Sequence, residues 1–421
     1  MENRKKHLIM IESMFFSTGF EACRIAKDLG YKVTLICRNI NLYLKDTPLH
    51  EHPLGLADVH VEIETNNAES LINFLEEYYK ESPFDGIVTF SDYYVDIVAQ
   101  VANHFGLPSS SYKSIYTAKN KDLSRLCFQQ KEIPSPKFKV INNIKDAYKA
   151  IKDIGYPCVV KPTAESSSYG VQCVFNDEEL YLAFKNISSL TINEREQNRQ
   201  GKVLIEEYMD GEEVSVETIT INGKTQVLGI TSKGLTGWPN FVECEFSFPY
   251  NLPKQIQDSV ISITKKAIEA IGILHGPCHT EIRLTEDGPK IVEINPRLGG
   301  RFISKMIQDS IGVHPIKEVI KLSVGEPIDL SPKKSGGAAW CAVTASKTGV
   351  LNSILGNERV LSSTGVRILT FNVKIGSKVK KPSDNGDAIG YIYVIGKDAN
   401  EAKKHLKTAR EKLTLSILEE P

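Results

Sequence analysis

Between His7 and Phe105, short apolar runs alternate with amphipathic stretches, and this rhythm limits what the chain can fold into more than any other feature. His7–Ile11 reads as a strand, Gly19–Leu29 as a helix stopped by Gly30, and Lys32–Cys37 as a second strand. Ser70–Tyr79 reads as a helix, Gly86–Phe90 as a third strand and Tyr94–Phe105 as another helix. Strands that alternate with helices imply a parallel sheet with helices on its faces. Ligands of such sheets sit beyond the carboxyl ends of the strands, where Glu12, Ser13, Ser91 and Asp92 fall. No G-x-G-x-x-G follows the first strand, so a dinucleotide site is unsupported.

The remainder is a strand-rich region from about Tyr116 to Val324 and a last region from about Gly336. A chain of 421 residues is too long for one ordinary core, so two to four packed units are expected. The polar stretch Asn186–Lys202 lacks apolar periodicity and reads as a mobile loop. A formal net charge of -1 supplies no field to gather nucleic acid or anionic lipid. The basic start is followed by an apolar run that Glu12 cuts short, unlike a signal peptide. No stretch approaches the ~20 apolar residues of a membrane span. Eight scattered cysteines without a C-x-x-C pair read as packed thiols of a reduced, cytoplasmic protein.

Three segments carry chemistry. His279–Arg283, the turn Glu286–Pro289 and Lys290–Arg297 read as a hairpin. Alternation puts His279, Glu281 and Arg283 on one face, and Ile291, Glu293 and Asn295 on one face of its partner. If those faces coincide, two carboxylates and an amide oxygen converge, a hard-oxygen set suited to Mg²⁺ at nucleotide phosphates. A solvated hairpin is the bland alternative, weakened by Glu293 lying inside an otherwise apolar strand. In Tyr156–Pro162, Lys161 ends a buried strand, which is costly unless its charge meets a partner. The small-residue loop Glu165–Val171 follows, and its backbone and hydroxyls suit phosphate oxygens, although Ser-Ser-Ser-x-Gly alone is just a turn. Val203–Glu217 reads as strand, turn and strand. Its turn backbone suits an adenine edge and Glu213 suits ribose hydroxyls, although in isolation it is an ordinary acidic hairpin. His50, Glu51, His52, Asp58 and His60 are read as a solvated loop in a Pro/Gly region rather than as a metal site.

In this order, from about Tyr116 to Gly300, these segments resemble the ATP-grasp superfamily. The resemblance implies an α/β fold with α+β jaws. A Rossmann-like domain is expected at 1–115, two grasp subdomains at 116–200 and 201–335, and a small β-rich domain at 336–421. It places Lys121, next to Arg125, and Lys161 as phosphate-binding lysines, and Ser166, Ser167, Ser168 and Gly170 in the loop over the phosphates. Glu206, Tyr208 and Met209 fall at the adenine hinge and Glu213 at the ribose. Glu281, Glu293 and Asn295 match metal ligands, and Arg297 matches the arginine that stabilises the acyl-phosphate and tetrahedral intermediates. The implied cofactors are ATP and Mg²⁺, as two ions with Mn²⁺ a possible substitute.

Within the superfamily the chain is most similar to the bacterial L-amino acid ligases, on Gly276–Glu281, Glu293–Arg301 and the Gly234–Pro249 segment with Trp238, Phe241 and Glu243. That likeness implies an enzyme joining two L-amino acids through an acyl phosphate, releasing ADP and phosphate. Its implied partners are amino acids and ATP, with no nucleic acid or membrane, in a homodimer. Arg301 is read as binding a substrate carboxylate or as forming a structural ion pair. His279 is read as a donor or proton acceptor near the substrate, or as a packed core histidine. The rival readings are an ATP-grasp ligase or carboxylase of purine or biotin type, and a nucleotide-binding regulator without turnover.

Overall fold

The structure is a computed structural model, and it describes residues 4–13, 18–44, 47–166, 168–199 and 201–419. The expected parallel sheet is present. Strands β1 (His7–Ile11), β2 (Lys32–Cys37), β3 (Val59–Glu62) and β4 (Gly86–Val88) lie in the order β3-β2-β1-β4, all parallel. β3 was not visible in the sequence, because it is four residues long and sits in the stretch read as loop. The histidines there hold the local structure: His52 caps a short helix, and the ring of His60, on β3, meets the Leu54 carbonyl at 2.9 Å.

A second sheet is antiparallel and built from β5 (Phe138–Ile141), β6 (Cys158–Pro162), β7 (Gln172–Val174) and β8 (Val203–Glu207), in the order β5-β8-β6-β7. Helices Ile144–Ile154 and Asp177–Ser188 cover it through Ala147, Ala150, Leu180 and Ala183. Because β8 belongs here, this unit runs to Glu207 rather than ending at 200. Helices Tyr112–Lys119 and Lys121–Gln130 do not belong to it. Ala118 and Phe128 pack with Val214, Val260 and Ile282 in another core.

That other core lies against the largest sheet, which contains β9 (Glu212–Ile221), β10 (Lys224–Thr236), β11 (Val242–Phe248), β12 (Gly276–Thr285) and β13 (Gly288–Asn295). Further along the chain come β14 (Gly337–Val343), β15 (Gly349–Leu355), β16 (Val366–Phe371), β17 (Lys378–Val379), β18 (Gly390–Gly396) and β19 (Thr414–Leu418). The order β13-β12-β9-β10-β11-β14-β18-β16 shows that the sheet crosses the expected boundary at 336 without a break. β11 pairs with β14 in register from Glu245↔Cys341 to Phe248↔Ala338. Only β17-β15-β19 forms a separate sheet in the last region.

The segment after Ser188 is not a free loop. Three of its polar side chains, Arg195, Glu196 and Gln197, reach the first sheet and its flanking turns. Arg195 is buried and donates to the Ser13 carbonyl and the Tyr43 hydroxyl, both at 2.8 Å. Gln197 donates to the Tyr93 carbonyl at 3.1 Å, and Glu196 pairs with Arg38. The run lacks periodicity because most of it is exposed and the side chains that do anchor it are polar ones making specific contacts. Glu12, expected beside a ligand, instead accepts from the Arg38 amide and Thr65 and lies against Arg195 at 3.8 Å.

Candidate functional site

The three sheets meet around one cavity, and each contributes charged side chains to it. From the second sheet comes Lys161, the last but one residue of β6. Its Nζ lies 2.6 Å from Glu206, and the other Glu206 oxygen takes Arg125 Nε at 2.5 Å. Burial lowers the Lys161 pKa despite that carboxylate, with the nearby Arg125 and Lys121 charges adding to the effect. For Glu206 burial acts in the opposite direction, but Arg125 and Lys161 overcome it and hold the carboxyl below its usual range. Glu206 therefore lines the cavity but spends its carboxylate on a buried triad.

The hairpin β12–β13 forms another wall. Register pairs Glu281 with Glu293 and His279 with Asn295, so the two acidic faces coincide. The expectation fails at Ile291. A bulge between Glu281 and Ile282 leaves Val292 as the extra residue, so Ile291 turns into the core while Glu293 stays at the cavity. The Val292 carbonyl accepts from Arg125 at 2.6 Å, tying the bulge to the Lys161 triad. Lys121 Nζ lies 3.0 Å from Glu293 and donates to the Glu165 carbonyl at 2.8 Å. Asn295 donates to Glu293 at 2.8 Å.

Lys233 was missed in the sequence. From β10 it reaches Glu213 and Glu281 at 2.8 Å and Glu243 at 3.1 Å. Burial alone would lower its pKa, but three carboxylates raise it well above the usual lysine value. The argument that singled out Lys161, a lysine within an apolar strand, applies equally to Lys233. Glu213 also meets Arg283 at 2.9 Å, so both its oxygens are occupied at the expected ribose position.

His279 packs between two carboxylates. Its Nδ1 lies 2.8 Å from Glu217 and its Nε2 3.3 Å from Glu281. Burial opposes its charge, but Glu217 and Glu281 outweigh burial and push its pKa up to about 10. Both ring nitrogens are committed to carboxylates, so the ring orients Glu281 (the packed reading, in charged form). Glu281 itself is held well below the usual carboxylate range, because Lys233 and His279 outweigh its burial.

Asp92, one of the residues placed beyond a strand end, pairs with Arg297 and accepts from Ser166 in the small-residue loop. Against burial, Arg297 holds the Asp92 carboxyl below its usual range. That loop turns at Ser168 (φ 58) and Gly170 (φ 71). Ser166 and Ser168 line the cavity, and Ser167 lies outside the described residues. Tyr208 and Met209 also line it. Trp238 and Phe241, in the segment that carries the likeness to the L-amino acid ligases, gather at this hinge, with ring centroids 5.4 and 6.5 Å from Tyr208. The reason is backbone pairing, since Asn240 bridges to Gln172 and the Cys173 amide donates to the Pro239 carbonyl at 3.1 Å. The loop thereby fastens β7 to the largest sheet.

Arg301 stands at φ 50, where a non-glycine residue is strained. It donates to the Tyr391 hydroxyl and, at 2.7 Å, to the Asn385 carbonyl. The structural ion pair is thus not formed.

Glu281 and Glu293 face the cavity and fit a hard cation, whereas Asn295, which donates to Glu293, is not among the residues that line it. Among the described residues no group of three His, Cys, Asp or Glu could hold a metal by itself, so a cation at the two glutamates would need phosphate oxygens and water to complete its sphere. Paired glutamates that need Lys121, Lys233 and His279 to coexist are the physical sign of that fit.

With this geometry established, comparison with known proteins gives a class. A family model of the ATP-grasp domain matches residues 154–305, and one of the ATP-grasp N-terminal domain matches 23–109. The chain thus carries an ATP-grasp domain preceded by an ATP-grasp N-terminal domain, and it has the ATP-grasp fold. Its nearer likeness is to the L-amino acid ligases. The model of their C-terminal domain 2 matches residues 342–417. The crystal structure of the L-amino acid ligase from Bacillus licheniformis superposes with a TM-score of 0.82 over 99% of this chain and 100% of that one, at 22% identity. Among curated relatives, the uncharacterized protein y4rH of Sinorhizobium fredii is 27% identical over 84% of this chain and 73% of its own length. The alanine–anticapsin ligase of Bacillus subtilis is 24% identical over 68% of this chain, and the match spans 64% of that protein. No helix of the described residues is long and apolar enough to cross a membrane.

Proposed function

We propose that this protein is an ATP-dependent ligase that couples the carboxylate of one L-amino acid to the amine of another through an acyl phosphate, releasing ADP and phosphate. The observation that carries the reading is the position of Arg297, between the phosphate-loop serine that shares its Asp92 partner and the wall that holds Arg301. An activated carboxyl formed at the loop is then beside a guanidinium, and the second substrate enters from the far side. The likeness to an alanine–anticapsin ligase and to the L-amino acid ligase domain model supports amino acids as both partners.

Lys121 and Lys161 hold the triphosphate, Glu213 and the Tyr208–Met209 hinge take the nucleoside, and Glu281, Glu293 and Asn295 hold Mg²⁺. When bound, Mg²⁺ neutralises phosphate charge; two ions, or Mn²⁺ in their place, are compatible with the donor set. The substrate carboxylate attacks the γ-phosphorus while ADP leaves. Closure of the loop at Ser166–Gly170 keeps water from the mixed anhydride. The incoming amine then attacks the acyl carbon, and Arg297 donates to the developing oxyanion.

The test is phosphate release from Mg-ATP across pools of the twenty L-amino acids, with mass spectrometry of the products. Phosphate that requires two amino acids, with ADP and a dipeptide mass, is the expected result. ADP without a dipeptide in any pool would overturn the amino-acid assignment and move the search to other acids and amines.

A further inference from the structure

Six lysines and arginines line the cavity, and five of them lie against a carboxylate. Lys121 has Glu293, Lys161 has Glu206, Lys233 has Glu213, Arg283 has Glu213 as well, and Arg297 has Asp92. Arg301 is the exception. Among the described residues no carboxylate lies within 4 Å of its nitrogens. Its guanidinium is nevertheless fixed, by the Tyr391 hydroxyl, the Asn385 carbonyl and the Tyr391 ring face 4.8 Å away. All three are neutral, so the full positive charge remains, and its orientation is set before any ligand arrives. The surrounding wall is aromatic: Phe246 stacks on Trp340 at 4.7 Å, and Arg301 lies 6.0 Å from the Trp340 ring. An unmatched cation against an apolar wall is costly to bury unless an anion is meant to join it.

We infer that Arg301 binds the carboxylate of the acceptor amino acid, the substrate that supplies the amine. This rests on the ligase reading above and deepens it. The donor's carboxylate must lie at Lys161 and Arg297, where it is phosphorylated. A carboxylate must also be kept from the phosphate, or each substrate would be activated in turn. Arg301 is the cavity cation that stands apart from the phosphate side, because Tyr391 on β18 and Asn385 just before it fix it on the extension of the largest sheet. A planar fork holds a carboxylate by two parallel bonds, which also fixes where the α-amine points. Arg301 is thus a specificity residue that decides which amino acid is joined through nitrogen.

The experiment compares acceptor amino acids with their carboxamides, in wild type, Arg301→Gln and Arg301→Lys, with donor and Mg-ATP saturating. Wild type is expected to prefer the free acid through KM by roughly 10- to 100-fold, the range for a hydrogen bond to a charged group. Arg301→Gln is expected to lose the preference with the KM for ATP unchanged, and Arg301→Lys to regain part of it. An unaltered preference in Arg301→Gln would overturn the assignment, as would a rise confined to the donor's KM. A variant that is merely misfolded would lose its affinity for ATP together with both acceptors. A wild type that forms no dipeptide or dipeptide amide from any pool overturns the ligase reading, and the assignment falls with it.

Discussion

Glu206→Gln isolates the buried triad from any direct role in nucleotide binding. Glu206 is 3% exposed at its side chain and lies 2.5 Å from Arg125 and 2.6 Å from Lys161. At an effective dielectric of 20, each pair is worth about 4 kcal/mol with charge centres ~4 Å apart, before desolvation is counted. Removing one member of a buried ion network typically costs ~3–5 kcal/mol, because the remaining charges stay buried. One kcal/mol moves Tm by about 2–4 °C in domains of 150–250 residues, so a fall on the order of 10 °C is expected. A second effect follows from Lys161, whose pKa burial already lowers. Without Glu206 it falls further, and the lysine loses its proton more readily as pH rises. Over a series from pH 6 to 9 the KM for ATP should therefore climb more steeply in the variant than in the wild type. Thermal melting and ATP kinetics across that range are the assays. A Tm within about 1 °C of wild type, together with a pH-independent rise in the KM for ATP, would refute the reasoning. The carboxylate would then serve the nucleotide directly, as the sequence alone had placed it.

Arg297→Ala should reduce kcat for ligation by about 10²–10³ and leave nucleotide binding in place; equal loss of both in calorimetry and turnover would mean that the arginine is misplaced. Lys233→Met leaves Glu213, Glu243 and Glu281 without their shared cation. It should lower Tm by several degrees, and Mg²⁺ should raise the variant's Tm more than that of the wild type, as melting with and without the ion will show. Burial holds His7, His52, His275 and His314 below the ordinary histidine pKa. The unfolded chain therefore takes up their protons first, near pH 6.5. Their contribution to stability is complete above that pH and is lost as pH falls toward 5. Denaturant midpoints at pH 7 and pH 5 should differ in that sense, and equal midpoints would contradict it.

The parts of the fold legible in sequence were those with strong periodicity or a charge where none belongs. The parallel strands β1 and β2 and the helices Ala68–Glu81 and Val95–His104 are found within a residue or two of their expected ends. Glu293 and Lys161 stood out because each interrupts an apolar strand. β3, β17 and β19 are four, two and five residues long and mix polar with apolar positions, so no apolar run marks them. Long-range pairings were invisible for a different reason. Nothing local distinguishes a strand that joins a neighbouring sheet, so the pairings of β8 with β6 and of β14 with β11 could not be foreseen. The bulge at Val292 reversed one side chain, and only the register reveals it. The partners that neutralise the cavity, Asp92 for Arg297 and Lys233 for Glu281, come from 205 and 48 residues away, and spacing along the chain cannot indicate them.

The unbroken run of strands from β13 to β16 bears on how such a protein can be rebuilt. One edge of that sheet carries Glu293, and its far end carries Tyr391 and the tether of Arg301. The last region is therefore not a cassette that can be cut off at 336 and replaced at will. Severing it would expose the β11 backbone as a raw edge open to intermolecular pairing. A chimera that draws its final ninety or so residues from a relative would need to reproduce the Glu245↔Cys341 register. A slip of one residue would turn every side chain of the grafted wall to the opposite face.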